Sequence, residues 1–283
     1  VTIVWLRMSF AGLVMGGLLA VRGHLGAFRR LGATSWALLA VATTFLGLNY
    51  AGYMLGLERT SAASAQVLLQ LAPLLLALGG IVVFRESFNA LQWAGFGVLL
   101  TGLGVFSSDQ LRGVAADVAG GSRALHGMGL LVFAAVTWAV YGLAQKQLLG
   151  RLSSQQIMGV FYVGCALGFA PFANPAAAFE LDGVELAALV FCACNTLLAY
   201  GFFSEALAHW EASRVSSVLA LTPLATMGFV LLGSRLAPAL VEPEPVSAAG
   251  LAGAGLVVAG SLLASLGGTP QAAAAARPPQ GEE

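Results

Sequence analysis

The chain has 283 residues, of which 58% are hydrophobic and 9% charged, and its thirteen basic and thirteen acidic side chains cancel. A soluble domain carries about a quarter of its residues charged, so the composition excludes an ordinary water-soluble globule, and its apolar richness excludes disorder for the bulk of the chain. A balanced charge implies no nucleic-acid partner; the class left is a polytopic, all-α membrane protein whose solvent is the lipid bilayer.

Runs of about 20 mostly apolar residues, enough to cross a bilayer, fall at 3–20, 35–57, 61–84, 90–107, 127–149, 156–174, 184–205, 213–235 and 247–267. None shows the alternation of a barrel strand. The first run contains Arg7 and has no basic start or cleavage site, so it reads as a span rather than a signal peptide. The 108–126 connection is polar and too short for a domain, and the tail 269–283, an Ala run followed by Arg-Pro-Pro-Gln-Gly-Glu-Glu, is expected to be disordered. Cys165, Cys192 and Cys194 lie in apolar runs and act as small hydrophobes. No metal-ligand spacing, HExxH, GxSxG or cofactor motif occurs, so no metal, cofactor or enzyme activity is expected.

Lys and Arg in short loops set orientation. Arg22, Arg29, Arg30, Arg85, Lys146, Arg151, Arg214 and Arg277 fall on one side; Arg7, Arg59, Arg112, Arg123 and Arg235 fall on the other. The cluster after the first span weighs most, which puts the 21–34 loop and the C-terminus in the cytoplasm.

Shifting the sequence by 150 residues aligns two stretches. Tyr50 falls on Tyr200, Leu57 on Leu207, Ala62 on Ala212, Leu69 on Leu219 and Pro73 on Pro223. Further on the shift becomes 158, placing Glu86 on Glu244, Gly95 on Gly253 and Gly102 on Gly260, with an insertion around Ala237–Pro243. A unit of five helices is odd, so its second copy enters the membrane inverted, as in many secondary transporters. The expected organisation is a first repeat at 1–107, a connecting loop at 108–126 and a second repeat at 127–268. The helix at 127–149 has no mate within the chain, so nine spans and a missing first helix are expected.

These landmarks carry a resemblance to a known family. Asn49-Tyr50, the run Leu57-Glu58-Arg59-Thr60-Ser61-Ala62-Ala63-Ser64-Ala65, Leu71-Ala72-Pro73, Arg85-Glu86 and Gly95, echoed by Glu211-Ala212-Ser213-Arg214 and Leu221-Thr222-Pro223, resemble the EamA type of the drug/metabolite transporter superfamily. Arg7 matches an Arg common at that place in the family. The resemblance implies a ten-helix carrier of the plasma (inner) membrane that moves small metabolites, amino acids among them, often outward, by alternating access. An intramembrane lipid-modifying enzyme or a non-transporting scaffold is the alternative; the first lacks any reactive constellation and the second any output domain.

Polar side chains within spans are costly and therefore mark candidate pathways. Gln66, Gln70 and Pro73 form one helical stripe; its repeat mate is Ser216, Ala220 and Pro223, so both can line a central cavity. Asn49, Tyr50 and Tyr53, with Trp138, Tyr141, Asn195 and Tyr200 at similar depth, suit a small amphipathic substrate, although core packing explains the aromatics equally well. Arg7 either anchors the helix at the interface or binds a carboxylate; anchoring is the simpler reading. Glu205 and His209, one turn apart, can relay a coupling proton or form an interfacial pair. Glu86 and Glu244 read as structural ties to loop backbone or Arg85. Gly95, Gly97, Gly102 and Gly104, with Gly253, Gly255 and Gly260, offer smooth faces for close helix contact.

Overall fold

The computed structural model describes residues 1–108, 114–115, 118–119, 121–179, 181–236 and 247–266. Glu244, the insertion before it and the 269–283 tail lie outside the described residues. The helices are α1 (Thr2–Val21), α2 (Ala33–Leu57), α3 (Ala62–Leu69), α4 (Leu71–Phe84), α5 (Ala90–Phe106), α6 (Ser122–Leu148), α7 (Ser154–Phe169), α8 (Gly183–His209), α9 (Ala212–Leu219), α10 (Thr222–Leu236) and α11 (Ala248–Leu266). A 3-10 segment, His24–Arg30, joins α1 to α2. There is no strand among the described residues.

Among the described residues, seven helical stretches are long and apolar enough to cross a membrane: α1, α2, α3 with α4 (from Ser64), α6, α7 extended to Phe172, α8, and α9 with α10. Nine spans were expected. The two that fall short are the apolar stretches Ala90–Phe106 and Ala248–Ala264. At 1.5 Å per residue, the 17 residues of α5 reach about 26 Å and the 19 residues of α11 about 28 Å, just under the hydrocarbon thickness of about 30 Å.

Two expected spans are interrupted at matched places, and proline is the cause. Pro73 and Pro223 have no N–H to give the carbonyl four residues back, and their rings crowd it. Those carbonyls belong to Leu69 and Leu219, where α3 and α9 end. The freed Leu219 carbonyl is taken up by the Thr222 hydroxyl at 2.6 Å. Interrupted backbone at membrane depth is tolerated where it lines a cavity or is buried in protein.

The core forms where α1, α2, α4, α6, α7, α8 and α9 meet. Met8, Leu39, Leu46, Leu76, Leu148, Ile157, Met158, Phe161 and Tyr162 are fully buried there. Helix α6 packs along α2 and also touches α3 and α4, while α1 lies on α7 and α8. Helices α5 and α11 make the most extensive helix pairing among the described residues. Its reason is glycine: a Cβ at Gly95, Gly102, Gly253 or Gly260 would lie 2.3–2.6 Å from backbone nitrogen of the facing helix. Gly97, Gly104 and Gly255 face open space. Only the Gly residues seven apart on each helix are therefore used for contact, a narrower set than the sequence pattern suggested.

One clasp joins distant parts of the chain. Arg85 adopts a left-handed conformation, φ 55°, and turns the backbone back at the end of α4. The next residue, Glu86, directs its carboxylate to the first turn of α9. It accepts from the Ala212 N–H at 2.7 Å, the Ser213 N–H at 3.0 Å and the Ser213 hydroxyl at 2.6 Å. Lys146 of α6 lies 3.3 Å from the same carboxylate and donates to the Trp210 carbonyl at 2.7 Å. The helix N-terminus presents unpaired N–H groups and a positive dipole end, so an anion there is doubly favoured. The reading of Glu86 as a structural tie to loop backbone fits this geometry; its cationic partner is Lys146 rather than Arg85.

Candidate functional site

A cavity of about 570 Å³ opens between α1, α2, α6, α8 and the two interrupted pairs α3–α4 and α9–α10. Its volume is in the range that holds a small organic molecule. Both proline breaks form part of its wall, through Gln70 and Pro73 on one side and Leu219, Thr222 and Pro223 on the other.

Eight of the ten side chains proposed from sequence to line a cavity meet here: Asn49, Tyr50, Tyr53, Gln66, Gln70, Trp138, Asn195 and Tyr200. They come from four separate helical stretches. Asn49 is partly committed to structure, since its amide donates to the Ala134 carbonyl at 2.8 Å and ties α2 to α6. The Tyr50 and Tyr200 rings, mates under the 150-residue shift, face each other with centroids 6.2 Å apart.

Tyr141 and Ser216 are not on the wall. Tyr141 is 0% exposed and packs behind the cavity against Trp138, Phe161, Tyr200 and Phe203. Ser216 is buried as well, and its hydroxyl donates to the Pro73 carbonyl, joining α9 to α4. Each supports a lining residue from behind.

Arg7 lines the cavity, against the expectation of an interfacial anchor. It is the sixth residue of α1, about 7–8 Å in from the helix start, and its Nε donates to Thr196 Oγ1 of α8 at 2.8 Å. Thr196 is 0% exposed, and its own hydroxyl donates to the Cys192 carbonyl at 2.7 Å. The hydroxyl proton is thus already used, and toward Arg7 the oxygen can only accept. The guanidinium is held by one edge. A charged side chain costs about 2.5–3.5 kcal/mol at the centre of a spanning helix on insertion scales, and less near an end.

Glu205 and His209 do not line the cavity. They pair at 3.6 Å with side chains 58% and 68% exposed, and Ser154 of α7 donates to Glu205 Oε2. Both side chains thus stand on the outer surface of the bundle at the C-terminal end of α8. Among the described residues no group of three or more His, Cys, Asp and Glu could hold a metal ion.

Sequence reading missed Thr196, Thr222 and Thr226. The last two sit one turn apart beside Pro223, which is a legible stripe. Thr196 gave no signal, because a threonine in an apolar helix ordinarily bonds its own backbone four residues back, as this one also does.

Comparison with known proteins agrees with this architecture. The EamA-like transporter family model matches residues 1–108 and 125–266. The chain is similar to the uncharacterized inner membrane transporter YhbE of Escherichia coli strain K12, 35% identical over 267 residues, covering 94% of this chain and 82% of the relative. It is 32% identical over 266 residues to an uncharacterized transporter of Haemophilus influenzae, covering 94% of this chain and 85% of the relative. A solved crystal structure of a protein only 18% identical superposes with a TM-score of 0.73 over 94% of this chain and 87% of the other, a likeness of fold. The match over both halves, on an all-helical membrane architecture, makes this chain a transmembrane member of the EamA-like transporter family.

Proposed function

We propose that the protein is a secondary carrier that exports small organic metabolites, amino acids among them, across the plasma (inner) membrane by alternating access through the central cavity. The observation that carries this reading is the cavity itself: polar and aromatic side chains from six helical stretches converge where both proline-broken helices meet. Discontinuous helices at a site between repeats are the device by which many carriers bind near the bilayer midplane.

The organisation behind it is two inverted repeats, 1–107 and 127–268, joined by the 108–126 loop. The pairing is α1 with α7, α2 with α8, α3–α4 with α9–α10 and α5 with α11; α6 has no counterpart among the described residues. Support comes from the two separate segments of the family match, from the contacts of α1 with α7, α4 with α9 and α5 with α11, and from the matched glycines that interlock α5 and α11. On this reading the nine sequence spans include α5 and α11 as short crossings. The basic loop after α1 faces the cytoplasm, as does the C-terminus. Any proton coupling through Glu205 and His209 acts at the helix end between α7 and α8, remote from the bound molecule.

The test is solute counterflow in proteoliposomes containing the purified full-length protein, with a panel of labelled amino acids and small organic acids, with and without a pH gradient. Exchange of at least one member, above liposomes without protein, is expected. No exchange across a broad panel in protein shown to be folded overturns the carrier reading.

A further inference from the structure

Resting on the carrier reading, we infer that the substrate is a small carboxylate with an aromatic or apolar body, anchored by Arg7, and that organic anions are preferred to zwitterions and zwitterions to cations. Three observations converge. Among the described residues that line the cavity, Arg7 is the single charged one, with no Asp or Glu beside it there. It makes no ion pair within 4 Å among the described residues. A fixed, unneutralised positive charge in a low-dielectric pocket attracts an anion strongly and repels a cation.

The geometry is also that of a carboxylate clamp. Thr196 takes the Nε–H of Arg7 at 2.8 Å, and no hydrogen bond among the described residues uses the two terminal nitrogens. A guanidinium held by one edge keeps a donor pair free for the two oxygens of a carboxylate, a bidentate match that lysine cannot reproduce. The side-chain amides of Gln66, Gln70 and Asn195 line the same cavity without a hydrogen-bond partner among the described residues, and add polar groups to its wall. The rest of the wall supplies Tyr50, Tyr53, Trp138 and Tyr200, flat surfaces for an aromatic or apolar body.

Equilibrium binding of 3-phenylpropanoate, its amide 3-phenylpropanamide, phenylalanine and 2-phenylethylamine to the full-length protein reads the ligand class whether or not flux is seen. The expected order is acid, then amino acid, then amide and amine, with the amide at least about tenfold weaker than the acid, because charge-assisted bidentate bonds are lost. Arg7→Gln is expected to lower affinity for the acid at least about tenfold and leave the amide within about twofold. Thr196→Val, which removes no charge, is expected to weaken the acid less than Arg7→Gln does, because only the orientation of the clamp is lost. Equal affinities for acid and amide in the unaltered protein, absence of acid binding at millimolar concentration, or equal losses for both ligands in Arg7→Gln would overturn the assignment. Counterflow of a cationic or neutral compound alone would overturn it too and leave the carrier reading standing; carboxylate binding without counterflow of any compound would do the reverse.

Discussion

Removing the Glu86 carboxylate should unlock one end of the bundle. Its side chain is 6% exposed, and it closes an ion pair with Lys146, whose side chain is 17% exposed. It also takes three hydrogen bonds from the first turn of α9. Glu86→Ala leaves two backbone N–H groups, one hydroxyl and one ammonium without their acceptor. Breaking a buried pair by deleting one partner costs about 3–5 kcal/mol. Lys146 keeps the Trp210 carbonyl, which points to the lower end, near 3 kcal/mol. Glu86→Gln keeps one acceptor oxygen but no charge and should cost roughly half as much. Gly80→Ala approaches the same clasp from the other side, since its Cβ would stand 2.6 Å from Glu86 Oε2. With Cys192 and Cys194 replaced by Ala, unfolding in a denaturing detergent can be followed by a thiol-reactive fluorophore on Cys165, which is 3% exposed when folded. A Glu86→Ala loss below about 1 kcal/mol, or no coupling between Glu86→Ala and Lys146→Met in a double-mutant cycle, would refute the reasoning.

Other outcomes follow from contacts already described. Alanine at Gly95, Gly102, Gly253 or Gly260 should destabilise by about 1–3 kcal/mol or more through overpacking; at Gly97, Gly104 or Gly255 it should be neutral or gain up to about 1 kcal/mol in helix propensity, measured by the same detergent titration. Tyr141→Phe should cost under about 1 kcal/mol, because among the described residues its hydroxyl meets only Met158 Sδ at 4.0 Å, whereas Tyr141→Ala should cost about 3–5 kcal/mol in cavity formation. Pro73→Ala restores an N–H to the Leu69 carbonyl; stability should hold or rise while counterflow falls at least about tenfold as the break in the wall straightens.

The fold class was legible because lipid leaves a simple signature: long apolar runs with few charges. The repeat shift pairs Pro73 with Pro223, but the apolar runs at 61–84 and 213–235 read as continuous spans, so the interruptions beside the two prolines come from the fold. Periodicity also brought together Asn49, Tyr50, Tyr53, Gln66, Gln70, Trp138, Asn195 and Tyr200. It failed for Tyr141 and Ser216, because in an apolar helix a polar group facing a cavity and one facing a neighbouring helix have the same spacing. Arg7 was misjudged for a related reason. Its place near the start of α1 suggested snorkelling, and only the position of Thr196 on α8 turns it inward. The partner of Glu86 was equally out of reach, since Lys146 and the α9 N-terminus lie 60 and 126 residues further on.

The measurement that bears most directly on alternating access is two-sided labelling of the cavity wall. A Gln70→Cys variant, with Cys192 and Cys194 replaced by Ala, can be reconstituted and exposed to a membrane-impermeant thiol reagent from outside or from within the vesicle. Labelling from both sides, slowed by a transported solute, is expected if the cavity opens to each face in turn. Labelling from one side alone under all conditions would contradict it.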